Sequence, residues 1–259
     1  MRIKVLGPME VSRDEHLITP TATKHRQLLA LLALNAGQVV SVRTLFEELW
    51  GSEPPNTADQ TLRTYILHLR RRIGRQAKEV LVTRHGGYQL DLAAGDLDTQ
   101  VYERLATEGR LANDQGRTEA ASRLLRSALE VWRGPALVDV HVGLPMSVHV
   151  NRLDESKLGV LEAWIDTDLR LGRHQLLLSE LAELTARFPM HERLCGQYMI
   201  AQYRSGRQWR ALEIFRTLRH NLVAELGVEP SAGMQHLQRA ILNADPRLND
   251  PITVVASAW

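Results

Sequence analysis

The chain has very little cysteine and no long apolar segment. Its 259 residues include one cysteine, Cys195, so no disulfide can form within the chain. Cys195 lies in a helical pattern, which predicts a small buried side chain rather than a nucleophile. No apolar run approaches the ~18 residues of a membrane span, and the residues after Met1 lack the apolar core of a signal peptide. These absences predict a cytoplasmic protein.

The motifs of common catalytic and metal sites are also missing. None of the ten histidines belongs to an HExxH or HxH pattern, and CxxC, GxSxG and GxGxxG do not occur. Asp166 and Asp168 are two residues apart on a predicted helix, so their side chains diverge, and we expect solvated surface charges rather than an acid–base pair. The sequence therefore predicts no catalytic residue, no metal site, no cofactor and no enzyme.

Positive charge is concentrated in one stretch of an almost neutral chain. The formal net charge is only +2. Residues 57–84 nevertheless carry seven basic side chains and two acidic ones, a surplus of five, so the rest of the chain is net negative. A localised surplus of this kind is expected of a surface that binds a polyanion.

The basic stretch has the pattern of an amphipathic helix between Thr57 and Gly74. Its apolar residues fall at steps of four, three and four, which places them on one stripe of a helix: Leu62, Ile66, Leu69 and Ile73. The opposite face carries Gln60, Thr64, His68 and Arg71, with further arginines beside it. An arginine cluster alone fits a solvated surface helix equally well. The neighbouring elements favour a helix that enters the major groove of DNA.

The elements around this helix predict a winged helix-turn-helix with an additional N-terminal sheet. Residues 2–19 alternate like short strands, two helices with Thr23 and Ser41 as expected N-caps follow, and residues 80–92 read as a β-hairpin. The short helix ending near Trp50 would position the basic helix, and the hairpin would be the wing. Gly86 and Gly87 are expected to turn its tip with positive φ. Tyr88 is expected to pack beneath it.

The second half contains a helical repeat. A Gly-Arg pair recurs at 116–117, 172–173 and 206–207, and a small or apolar residue follows each glycine after five positions. The last two pairs are 34 residues apart, which is the period of tetratricopeptide repeats. We therefore expect stacked helix pairs that form an all-α domain with a face for a partner.

Specific segments of the chain resemble a known family. LRTYILHLRRRIG and LVTRHGGYQL are similar to the OmpR/PhoB type of DNA-binding domain, and YRSGRQWRALEIFR and ELGVEPS are similar to the bacterial transcriptional activation domain. Together they resemble the Streptomyces antibiotic regulatory protein (SARP) family of transcriptional activators over roughly residues 1–245. Larger relatives carry an ATPase domain. This chain has no GxxxxGK[ST] loop and is expected to be a small, stand-alone member.

The resulting fold class is mainly α with a small β component. We expect a winged helix-turn-helix in residues 1–94, a tetratricopeptide-like activation domain in residues 98–245, and a C-terminal tail in residues 246–259. The resemblance implies a regulator of a secondary-metabolite gene cluster that acts in the cytoplasm at the nucleoid.

Candidate contacts follow from this arrangement. We expect Thr64, His68 and Arg71 to face base edges. We expect mostly phosphate contacts from the remaining basic groups, which are Lys24, Arg26, Arg43, Arg63, Arg70, Arg72, Arg84 and, at the wing tip, His85. The resemblance further implies protomers side by side on direct repeats in double-stranded DNA, and a contact with RNA polymerase and its σ factor through the loop that contains Ser52, Glu53 and Asn56.

Two other functions are compatible with parts of the sequence. A tetratricopeptide-type scaffold that binds only protein would explain the repeats but leaves the localised arginine surplus unexplained. An enzyme would require a deep polar pocket in the helical half.

Overall fold

The computed structural model describes residues 1–75 and 77–250, and the chain forms two compact units. The first comprises residues 1–107 and 127–158, and the second comprises residues 108–126 and the chain from residue 159 onward. Among the described residues, strands occur only before residue 91, and the regular elements after it are helices. The predicted class, mainly α with a small β component, is confirmed. Part of the predicted tail, residues 251–259, lies outside the described residues.

The first unit begins with a small antiparallel sheet, as predicted. Strands β1 (Arg2–Lys4), β2 (Glu10–Arg13) and β3 (His16–Leu17) pair in chain order. Asp14 and Glu15 make the turn between β2 and β3 with φ of +46° and +65°, and aspartate is one of the residues that adopt such values most readily. The register places Ile3 opposite Val11, and both side chains are buried.

Three helices form the core that follows. They are α1 (Thr23–Leu34), α2 (Val42–Trp50) and α3 (Ala58–Ile73), and α1 packs against both of the others. The predicted stripe of α3 is confirmed, because all four of its apolar residues are at most 3% exposed. Burying each contributes roughly 1.5–3 kcal/mol, which fixes the rotation of α3 about its axis.

The helix caps follow the sequence only in part. Ser41 caps α2 as predicted, since its hydroxyl accepts a hydrogen bond from the Thr44 N–H at 3.0 Å. The N-cap of α1 is Ala22 rather than Thr23, and Thr57 precedes α3 without a side-chain capping bond. Thr57 has φ −92° and ψ 9°, which is outside the β-region conformation that directs an N-cap hydroxyl at the helix.

The wing is a three-stranded sheet. A short helix α4 (Ala77–Val80) leads into β5 (Leu81–Arg84) and β6 (Gly87–Leu90), and β6 also pairs with β4 (Val39–Ser41). Gly86 has the expected positive φ of +75°. For Gly87 the expectation was wrong: a Cβ there would lie 2.1 Å from the Val40 carbonyl oxygen, so this glycine permits the close approach of β4. Tyr88 is buried beneath the wing, as predicted.

The rest of the chain is helical. Its helices are α5 (Asp98–Asp114), α6 (Thr118–Glu130), α7 (Leu144–Arg170), α8 (His174–Arg187), α9 (Glu192–Arg204), α10 (Gln208–Leu226) and α11 (Ala232–Leu242), and a 3₁₀ turn (Pro246–Asn249) follows. The repeated glycines Gly116, Gly172 and Gly206 have φ between +71° and +74° and join consecutive helices. The residues five positions later are buried, so the tetratricopeptide-like pairing is confirmed. No described helix is both long and apolar enough to span a membrane.

Two buried carboxylates join the winged helix to later parts of the first unit. Asp98 accepts the N–H groups of Val5 and Leu6 at 2.9 Å. Glu48, on α2, is 3% exposed and accepts the N–H groups of Gly143 and Met146 at 2.7 and 2.9 Å. The predicted DNA-binding segment, residues 1–94, thus lies in a unit that also contains the start of α7.

In the second unit the expectation for Asp166 and Asp168 was wrong. Both side chains are buried, at 4% and 6% exposure. Asp166 accepts from Arg193 at 2.6 Å and Asp168 accepts from Ser122 at 2.5 Å. Divergence along the helix therefore directs each carboxylate to a different neighbouring helix, where ion pairs and hydrogen bonds offset the cost of burial.

Candidate nucleic-acid interface

The outward face of α3 is polar and exposed. Because the apolar stripe is buried, the side chains on the opposite side of the helix face solvent: Gln60, Thr64, Leu67 and Arg71. The Thr64 hydroxyl donates to the Gln60 carbonyl oxygen at 2.9 Å, so it remains an acceptor toward a ligand. Sequence reasoning missed Leu67, which is 47% exposed in the middle of this face.

His68 is held at the side of α3 by aromatic contacts. Its ring stacks on His25 of α1 with centroids 5.3 Å apart and an interplanar angle of 18°, and His25 meets Tyr65 edge to face at 4.9 Å. Burial lowers the pKa of His25, and the charges of His68 and Arg72 lower it further. His68 is exposed, and its stacking on His25 places it beside the outward face of α3.

Three of the predicted DNA-contacting arginines are exposed and unpaired. Within residues 1–75 and 77–250, Arg43, Arg63 and Arg71 have no hydrogen bond or ion pair to protein. Arg63 and Arg71 belong to α3, whereas Arg43 lies in the first turn of α2. Exposed guanidiniums without protein partners keep all their donors for phosphates or guanine edges.

The other predicted cations on the helices are held by protein acceptors. Arg70 donates to the Leu81 carbonyl oxygen at 2.7 and 3.0 Å and to the Thr83 hydroxyl at 2.8 Å, so it ties α3 to β5. Arg72 donates to the Thr19 carbonyl oxygen at 2.9 Å. Two half-buried groups of α1 are also engaged: Lys24 with the Leu49 carbonyl oxygen and Arg26 with Asp139.

The wing presents its cations next to α3. Arg84 is exposed and donates to Gln89 at 2.8 Å, and His85 is exposed at the tip. Arg84 and Arg63 both line a cavity of about 370 Å³ between the start of α3 and the wing. The wing and α3 therefore present basic groups to a common groove.

The loop between α2 and α3 forms a second exposed feature. Ser52, Glu53 and Asn56 are all exposed, as a surface contact requires. The loop borders a groove of about 920 Å³ whose wall includes Phe46 and Trp50. His141, Gly143 and Leu144 also line this groove.

Comparisons with known proteins identify the family to which the chain belongs. The family model described as transcriptional regulatory protein, C terminal, matches residues 18–90, and the bacterial transcriptional activator domain matches residues 97–242. Regulatory protein DnrI of Streptomyces peucetius is 53% identical over 257 residues, which are 96% of this chain and 94% of DnrI. The chain belongs to the Streptomyces antibiotic regulatory protein family of transcriptional activators.

Two further relatives extend this SARP assignment. Regulatory protein AfsR of Streptomyces coelicolor is 41% identical over 249 residues, which are 96% of this chain but 25% of AfsR. The solved structure of Mycobacterium tuberculosis EmbR in complex with a low affinity phosphopeptide matches with a TM-score of 0.92 at 30% identity, covering 99% of this chain and 69% of that one. The winged-helix and helical folds expected from the sequence are thereby confirmed, and the chain is a transcriptional regulator rather than an enzyme.

Contacts between residues that are far apart along the chain could not be predicted from the sequence patterns. The pairing of Arg26 with Asp139 joins residues 113 positions apart, and His141, Gly143 and Leu144 line the loop groove although they are far from the loop along the chain. Leu67 was detectable, because helical periodicity alone places it on the outward face.

Proposed function

We propose that this regulator binds a specific DNA sequence by inserting α3 into the major groove. The carrying observation is the pair of exposed arginines, Arg63 and Arg71, which have no partner among the described residues and lie on a helix whose opposite side is buried. Helices of this kind read base edges, and arginine makes bidentate bonds to guanine. The surplus of five positive charges in residues 57–84 supplies attraction to the phosphates.

Contacts divide into two classes in this proposal. Arg71, Thr64 and His68 face base edges, and each good bidentate contact discriminates by ~1–3 kcal/mol. Arg63, Arg43, Arg84 and His85 contact phosphate and supply affinity that depends on salt. Four other cations already bind protein acceptors and have structural roles. Arg70 and Arg72 position α3, and Lys24 and Arg26 stabilise the packing of α1.

The two domains and the loop between α2 and α3 have separate roles in this proposal. Residues 1–94 bind DNA, with two protomers side by side on a direct repeat near a promoter. Residues 98–245 form the activation domain, with residues 246–259 as a tail. The loop with Ser52, Glu53 and Asn56 meets RNA polymerase and its σ factor; its exposure and the adjoining groove support this role.

The regulated genes belong to a secondary-metabolite cluster, as the family name suggests, and the protein acts at the nucleoid. A tetratricopeptide-type scaffold without specific DNA binding is the second candidate function, favoured only by the helix pairs of the second half. Since that function needs no unpaired arginines on α3, DNA binding is the preferred proposal.

The test is a footprint followed by a competition assay. Purified full-length protein is footprinted across its genomic neighbourhood at 150 mM salt, and the protected site then competes with shuffled DNA of equal composition. We expect protected direct repeats and a preference of at least ~10³-fold, typical of specific regulators. Equal competition by shuffled DNA would contradict specific binding and favour the scaffold.

A further inference from the structure

The outward face of α3 contains one apolar side chain among polar ones. Leu67 is 47% exposed, although the helix buries its other leucines, Leu62 and Leu69. A single exposed leucine carries little information by itself. Its surroundings make this one informative.

Leu67 lies between Arg63 and Arg71, the two arginines of α3 that have no partner among the described residues. Arg63 precedes it by four residues and Arg71 follows it by four, and side chains four residues apart are neighbours on a helix surface. Any ligand that engages both guanidiniums therefore also covers Leu67. A ligand that offered only charge would leave this apolar side chain against polar groups, at a cost in desolvation.

The major groove displays one apolar group, the C5-methyl of thymine. We propose that Leu67 is a specificity-determining residue that packs on a thymine methyl group between the contacts of Arg63 and Arg71. This proposal rests on the proposed entry of α3 into the major groove. It adds an apolar contact with thymine to the hydrogen bonds that the polar residues of the helix make.

The test removes the methyl group without changing the hydrogen bonds of the base. Each thymine of the footprinted site is replaced in turn by deoxyuridine, which pairs identically but lacks the methyl, and the affinity of the full-length protein is measured by fluorescence anisotropy. Burial of one methyl is worth ~0.8 kcal/mol, which is about a fourfold change in affinity. We expect a loss of about that size at one thymine in each half-site.

The variant Leu67→Ala tests whether Leu67 is the partner of the methyl group. It should bind the thymine and deoxyuridine sites equally, because the partner of the methyl is gone, and alanine preserves the helix. Leu176→Ala is the control: Leu176 is 78% exposed on α8, in the second unit, and its loss should leave the thymine preference intact.

The outcomes separate this proposal from the proposed function. A protected site whose thymines all tolerate deoxyuridine would overturn the role of Leu67 while DNA binding stands, and this result needs only the wild-type protein. A methyl effect that persists in Leu67→Ala would also overturn it. Absence of any sequence preference would overturn both proposals.

Discussion

Arg70 and Arg71 are adjacent in the chain and have opposite environments. Arg70 places its guanidinium on the Leu81 carbonyl oxygen and the Thr83 hydroxyl, whereas Arg71 faces solvent on the outward side of α3. A run of arginines in a sequence shows none of this, because neighbouring residues on a helix point 100° apart. The role of each arginine therefore depends on the groups that its side chain meets in the direction in which it leaves the helix.

We predict that Arg70→Ala destabilises the fold and Arg71→Ala does not. Removing Arg70 leaves the Leu81 carbonyl without these charged donors, and hydrogen bonds to charged groups contribute ~1.5–3 kcal/mol. Urea unfolding of both variants should show a lower midpoint for Arg70→Ala alone. Equal midpoints would contradict the role of Arg70 as a tie between α3 and β5.

Sequence reasoning was most reliable for elements with a local periodicity. The stripe of α3 and the turn glycines of the helix pairs were predictable because their spacing alone determines burial. Strand β4 was not, since its three residues are defined by pairing with β6, where Val40 lies opposite Tyr88. The start of helix α7 at Leu144 was not predicted either. Pro145, which suits a first helical turn, was the unused signal.

At the level of elements, Glu48 joins α2 to the start of α7. Its carboxylate accepts two backbone N–H groups of the segment 143–146 and the side-chain amide of Gln27 at 2.9 Å. We predict that Glu48→Gln lowers the free energy of unfolding by about 2 kcal/mol, because an amide keeps one acceptor oxygen and places a donor against other donors. Urea unfolding measures this.

The matched control for this prediction is Glu47→Gln. Glu47 is the exposed neighbour, so the same loss of charge should change stability by less than about 0.5 kcal/mol. If both variants unfold alike, Glu48 contributes only its charge and not its buried hydrogen bonds.

The loop between α2 and α3 gives a prediction about transcription. We expect Glu53→Lys to leave DNA affinity nearly unchanged and to reduce transcript yield in a reconstituted polymerase assay, because the residue is exposed at the proposed polymerase contact. Glu155→Lys, an equal charge change on the exposed side of α7, should retain activity. Full transcription by Glu53→Lys at saturating occupancy would remove Glu53 from this contact.

At the level of the whole molecule, three histidines make stability depend on pH. Burial lowers the pKa values of His25, His149 and His174 below 6.5. The unfolded chain therefore takes up protons at a higher pH than the folded one, so the free energy of unfolding should fall as pH decreases through 6.5. Burial raises the pKa values of Asp98 and Glu162, which acts in the opposite direction at more acidic pH.

The variant His149→Gln isolates the histidine contribution. The His149 Nε2 atom lies 3.3 Å from the Asn35 side-chain amide, and a glutamine oxygen can accept the same bond without titrating. Urea midpoints at pH 7.5, 6.5 and 5.5 should fall less steeply in this variant than in the wild type. An unchanged slope would show that His149 does not contribute.

The central claim is that the outward face of α3 reads DNA sequence. The most direct measurement compares Arg71→Ala with Arg84→Ala on the footprinted site and on shuffled DNA across a range of salt concentrations. Arg71→Ala should lose about five- to 150-fold in affinity for the specific site, which corresponds to ~1–3 kcal/mol, and little for shuffled DNA. Arg84→Ala should weaken binding to both and reduce the slope of log affinity against log salt by about one. Equal losses on both DNAs for Arg71→Ala would contradict the claim.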